Sequence, residues 1–124
     1  MHILYIGVGG FLGAVSRYLI SRFMNNLIST FPMGTLVVNV AGSFVLGFIV
    51  YSLAFGKSIP VNLRDMITIG FIGALTTMST LSYESFRLAE LNEFLVSALN
   101  IILNIILCLL AVYLGKELAL IINK

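Results

Sequence analysis

Gly70-Phe-Ile-Gly-Ala-Leu-Thr-Thr-Met-Ser-Thr-Leu-Ser82 lies in an apolar segment of membrane-spanning length, yet it holds two glycines, five hydroxyl residues (Thr76, Thr77, Ser79, Thr80, Ser82) and no charge. That composition predicts a transmembrane helix that breaks. Lipid cannot satisfy N–H and C=O groups freed from a helix, so irregular backbone at membrane depth survives only against protein or a polar cavity. Serine and threonine can supply the missing bonds from their side chains, and glycine tolerates the dihedrals of a break, which leaves carbonyls free to face an ion. A straight helix with a small-residue packing face would explain the glycines but not the density of hydroxyls.

The rest of the chain supports membrane insertion. Of 124 residues, 60% are hydrophobic and 10% charged, against about 25% charged in soluble domains. The expected class is an all-α membrane protein in which residues 1–124 form one four-helix transmembrane unit. Its spans fall at about 3–19, 33–55, 63–81 and 94–114, each close to the roughly 20 residues a membrane helix needs. The opening Met-His-Ile-Leu-Tyr has no basic region and no small-residue cleavage site behind it, so the first segment reads as a retained span. A multi-pass protein of the cell membrane, in contact with the lipid bilayer, follows. The single Cys108 leaves no intramolecular disulfide and no cysteine metal site. A net charge of +2, scattered along the chain, gives no reason to expect a nucleic-acid partner. Four spans enclose little on their own, so an oligomer is expected.

In chain order, Gly9 and Gly13 form a GxxxG pair in the first span, with Gly10 and Ala14 as a second small pair beside it, a close-packing face. Arg17 follows Gly13 at helical spacing. Its guanidinium either snorkels to the interface or points into the protein and raises the potential there for an anion. Arg22, Asn25 and Asn26 read as a polar loop. In the second span Thr35, Asn39 and Ser43 recur every four residues, placing hydrogen-bonding groups on one face of an otherwise apolar helix. Helix–helix adhesion is one role for such groups and function the other. Asn39 is the leading candidate. Glu84 and Arg87, three residues apart, form an expected interfacial ion pair. In the fourth span Asn100 and Asn104 share a face, as a polar track or as adhesion between helices.

The basic residues divide evenly. Lys57, Arg64, Lys116 and Lys124 would lie on one side and Arg17, Arg22 and Arg87 on the other, 4 against 3 of the 7. The positive-inside rule then has almost nothing to act on. Such a subunit could insert in either direction, and two inverted copies could pair, as inverted repeats do in transporters.

Three segments together resemble the signature segments of the CrcB/Fluc fluoride channels: Gly9-Gly-Phe-Leu-Gly-Ala-Val-Ser-Arg17-Tyr18, Pro32-Met-Gly34-Thr35-Leu-Val-Val-Asn39-Val-Ala-Gly42 and Gly70-Phe-Ile-Gly73-Ala-Leu-Thr76-Thr77-Met-Ser79-Thr80. They occur in order over a chain of matching length. The resemblance implies four transmembrane helices with the third broken, an inverted dual-topology dimer, and two narrow pathways that export fluoride passively from a microbial cytoplasm. It implies pathway residues at Thr35, Asn39, Thr77, Met78, Ser79, Thr80, Leu81, Asn100 and Asn104, with Cys108 at the end of the polar track and Arg17 in the first span. It also implies a structural sodium ion (Na+) at the dimer centre on the backbone carbonyls of Gly73 and Thr76.

One departure stands out: the family typically has Thr-Thr-Phe-Ser-Thr-Phe, and here Met78 and Leu81 replace the two phenylalanines, whose electropositive ring edges would face the ion. Families of this kind include two-subunit pairs, so the partner is either a second copy or a paralogous subunit. An accessory subunit that does not conduct alone is the rival within the family. A small multidrug exporter is the rival outside it, and needs a membrane-embedded carboxylate where Asp65, Glu84, Glu90, Glu93 and Glu117 fall at span ends. An enzyme is not expected: general acid–base chemistry lacks a candidate, with His2 the only histidine.

Overall fold

The computed structural model describes residues 1–124 and is entirely helical. Helix α1 runs His2–Leu27, α2 Met33–Ala54, and the third span Val61–Glu90 divides into α3 (residues 61–75) and α4 (Met78–Glu90), before α5 at Phe94–Ile122. Four helical segments are therefore long and apolar enough to cross a membrane. Proline and positive-φ residues set the joints. Pro32 caps α2, Pro60 precedes α3, Gly56 (φ 93°) follows α2, and Asn92 (φ 61°) turns the chain from α4 into α5.

The helices outrun the apolar stretches that announce them. Helix α1 has 26 residues and α5 has 29, about 39 and 44 Å at 1.5 Å per residue, longer than the roughly 30 Å hydrocarbon layer. Hydropathy marks where lipid begins; backbone hydrogen bonding decides where a helix ends. So Arg22, Asn25 and Asn26 are not a loop but the last turns of α1. Asn25 Oδ1 accepts the Gly34 N–H at 2.9 Å, meeting one of the unpaired donors at the start of α2. Arg17 lies ten residues before the end of α1, about 15 Å inside it.

The packing follows the small residues. Helix α1 lies on α3 through Gly9 and Gly13, where any Cβ would run into the carbonyl oxygens of Met66 and Phe71. Residues Met66–Ile72 are wound as a π-helix, a form concentrated at functional sites. Of the second small pair, Gly10 is half-buried and Ala14 exposed, so only the Gly9/Gly13 pair makes the close approach. Helices α2 and α5 make a comparably extensive contact, closed by Gly47 against Val112 and Gly115 against Phe44. At the start of α3, His2 Nε2 meets Asp65 Oδ2 at 3.1 Å and Arg64 Nε meets Asp65 Oδ1 at 2.7 Å.

The distribution of polarity is inverted relative to a water-soluble domain. Phe11, Tyr18, Phe23, Leu95 and Leu109 lie exposed on the outside, while Thr35, Asn39, Thr77, Ser85, Ser97, Asn100 and Asn104 are buried. Lipid favours the first arrangement, and only internal hydrogen bonds permit the second.

Candidate functional site

The third span leaves its helix for two residues. Thr76 (φ −84°, ψ 155°) and Thr77 (φ −154°, ψ 123°) are extended. In an unbroken helix the Gly73 carbonyl would accept from Thr77 N–H and the Thr76 carbonyl from Thr80 N–H. Both donors go elsewhere: Thr77 N–H to Asn39 Oδ1 at 2.7 Å, and Thr80 N–H to Thr77 Oγ1 at 3.1 Å. Thr77 is thereby the N-cap of α4. Its hydroxyl also lies 3.2 Å from those of Ser79 and Thr80, and Thr76 Oγ1 donates back to Ile72 O at 3.0 Å. The hydroxyl density of this stretch is thus spent on making the break self-sufficient.

Asn39 is the clamp. Besides accepting from Thr77 N–H, its Nδ2 donates to Thr77 O at 3.1 Å and to Asn104 Oδ1 at 2.9 Å. One side chain therefore meets both backbone groups of Thr77 and ties α2, the break and α5 together. From Asn104 the network runs on: Nδ2 donates to Asn100 O at 2.8 Å and Asn100 Oδ1 at 3.1 Å, Asn100 Nδ2 donates to Ser85 Oγ at 3.0 Å, and Ser97 Oγ donates to Ser85 O at 2.7 Å. Asn100 is fully buried. The structure thus joins Asn39, Thr77, Asn100 and Asn104 into one chain of bonds, and adds Ser85 and Ser97, which sequence reasoning does not single out. A signal for one of them exists: Thr77, Leu81 and Ser85 recur every four residues, marking the face α4 turns inward.

Thr35 and Glu84 form a second element. The expected Glu84–Arg87 pair is absent; Arg87 Nη1 meets Glu90 Oε2 at 3.3 Å instead. Glu84 turns inward, accepting from Thr35 Oγ1 at 2.7 Å, and its Oε2 is buried without a hydrogen-bond partner. It is a half-buried carboxylate, not a group at the span end. Arg17 is half-buried as well, with neither a hydrogen bond nor a carboxylate partner.

Beside the break lies a groove of about 430 Å³, lined by Asn39, Gly42, Ser43, Thr76, Thr77, Met78, Leu81, Asn104 and Cys108 together with apolar side chains of α2, α3 and α5. Met78 and Leu81 differ sharply in setting: Met78 is 69% exposed on the subunit surface, whereas Leu81 is 5% exposed in the core. Ser79 is exposed and Thr80 half-buried. No three His, Cys, Asp or Glu side chains converge anywhere in the chain. The diverted donors leave the Gly73 and Thr76 carbonyls without their usual helical partners, as in the unwound helices of transporters.

Residues 4–116 match the family described as CrcB-like protein, Camphor Resistance (CrcB). The chain belongs to this CrcB family. The matched residues include every site residue above. Among curated relatives, "Fluoride-specific ion channel FluC" of Methanococcus maripaludis is 52% identical over 114 residues, covering 92% of each chain. "Fluoride-specific ion channel FluC 1" of Methanosarcina acetivorans is 48% identical over 114 residues, covering 92% of this chain and 87% of the relative. "Fluoride-specific ion channel FluC 3" of Methanosarcina barkeri is 42% identical, covering 95% and 89%. The CrcB chain here is thus a multi-pass membrane protein whose named relatives are ion channels, a class distinct from enzymes.

Proposed function

We propose that this chain is the subunit of a fluoride channel that lets fluoride leave the cytoplasm passively across the cell membrane and so relieves its toxicity. The observation that carries this is the clamp of Asn39 on the broken third helix, inside a family whose relatives are named fluoride-specific channels. Fluoride holds its water tightly, so a pathway must replace that water with donors. The break supplies a place for this at membrane depth, held by the side chains of Asn39 and Thr77. Two copies pack antiparallel, supported by the even division of basic residues, and complete the wall that one subunit lacks. Sodium is held by the Gly73 and Thr76 carbonyls at their junction, where a cation offsets the field of nearby oxygen atoms and steadies the break. Transport needs no bond making, and the chain has no catalytic role.

The test is fluoride efflux from liposomes holding only this purified chain, followed with a fluoride electrode and repeated with Asn39→Asp. Efflux that the substitution abolishes is the expected result. No efflux from a folded dimer, restored by a paralogous subunit, would favour a second reading that Met78 supports: an accessory subunit whose own pathway lacks the aromatic edges.

A further inference from the structure

The donors that line the groove are unequally available. Asn39 Nδ2 is engaged with Thr77 O and Asn104 Oδ1, and Asn104 Nδ2 with two oxygens of Asn100. The Thr76 hydroxyl donates to Ile72 O, and the Thr77 hydroxyl is shared with Ser79 and Thr80. An ion entering the groove therefore meets amides whose hydrogens already point elsewhere. Ser43 is different. It lies four residues after Asn39 on the same face of α2, lines the groove beside Asn39 and Cys108, and makes no hydrogen bond within the subunit. A serine or threonine in a membrane helix can satisfy its hydroxyl by donating back to the carbonyl four residues before it. Thr68, Thr76 and Ser82 do so here, to Arg64, Ile72 and Met78; Ser43 does not, and unlike Ser16 and Ser21 of α1, which also make no such bond, it lines the groove.

We infer that Ser43 is a direct anion contact in the groove, its hydroxyl donating to the ion while Asn39 and Asn104 position the wall around it. This deepens the fluoride-channel reading and rests on it. A free hydroxyl at membrane depth is costly unless something accepts from it, and a small, hard anion is the acceptor best suited to an O–H donor. Cys108, the other uncommitted group in the groove, offers only a weak S–H donor. The Met78 side of the groove is the first turn of the 13-residue helix α4, whose N-terminal end adds positive potential.

The experiment compares the wild-type chain, Ser43→Ala, Ser43→Thr and Ser43→Val in fluoride-loaded liposomes. Ser43→Ala should slow initial efflux about tenfold or more, the loss expected for one bond to a charged partner, with gel-filtration profile and melting temperature unchanged. Threonine and valine have nearly the same shape and differ in the hydroxyl, so Ser43→Thr should conduct and Ser43→Val should not. This pair decides the matter even if alanine impairs folding. Efflux of Ser43→Ala within about twofold of wild type, or equal rates for the threonine and valine variants, would overturn the inference while leaving the channel reading intact. A wild-type chain that passes no fluoride either alone or with a paralogous subunit would overturn both.

Discussion

Asn39→Ala is the most demanding test of the clamp. The side chain makes three bonds, to Thr77 N–H at 2.7 Å, Thr77 O at 3.1 Å and Asn104 Oδ1 at 2.9 Å. Interhelical hydrogen bonds inside membranes contribute about 0.6 kcal/mol on average and about 1.7 at most, so three predict a loss of about 2–5 kcal/mol. The upper part of that range is expected, because two of the three partners are backbone groups of a residue 8% exposed, where no water replaces the amide. Thermal unfolding of the purified protein should show a melting temperature lower by at least about 6 °C, with fluoride efflux abolished. In a double-mutant cycle with Asn104→Ala, the shared bond should appear as a coupling of about 0.6–1.7 kcal/mol. An Asn39→Ala protein that melts within about 2 °C of wild type, or a cycle with no coupling, would show that Asn39 does not hold the break.

Further outcomes follow from the same geometry. Gly13→Val should cost about 1–3 kcal/mol or more by forcing α1 away from the Phe71 carbonyl, seen as loss of a single species in gel filtration. Thr77→Val should cost about 1 kcal/mol through the lost N-cap, with faster hydrogen exchange at the Thr80 amide. Met78→Phe should fold as well as wild type because the side chain is 69% exposed, whereas Leu81→Phe should destabilise by about 1–3 kcal/mol because its site is 5% exposed. Thermal melts of the two single variants decide this. A membrane-permeant thiol reagent should label Cys108 from the groove and block efflux, and Cys108→Ser should keep efflux while removing the sensitivity.

Several features are legible in the amino-acid sequence because the membrane makes them local. A helix in lipid must satisfy its own backbone, so apolar length locates four spans, and hydroxyl density within one of them announces the break at Thr76 and Thr77. The Gly9/Gly13 spacing likewise marks a face whose partner has to approach to backbone distance. Span ends are less legible. Arg22, Asn25 and Asn26 look like a loop because side-chain polarity reports the water boundary, while the helix continues as long as its backbone bonds do.

Composition and short-range periodicity are thus enough to specify a four-span membrane protein with an interrupted third helix and polar residues at mid-depth on α2 and α5. Which of those groups answer one another is settled by packing. Asn39 reaches Thr77 across 38 positions and Asn104 across 65, and Thr35 reaches Glu84 across 49. No local pattern encodes those distances, because they arise from how α2, the broken span and α5 pack together. The same packing turns Glu84 away from Arg87 and separates Met78 from Leu81, one on the surface and one in the core. It also uses up the amide donors of Asn39 and Asn104, leaving the hydroxyl of Ser43 free.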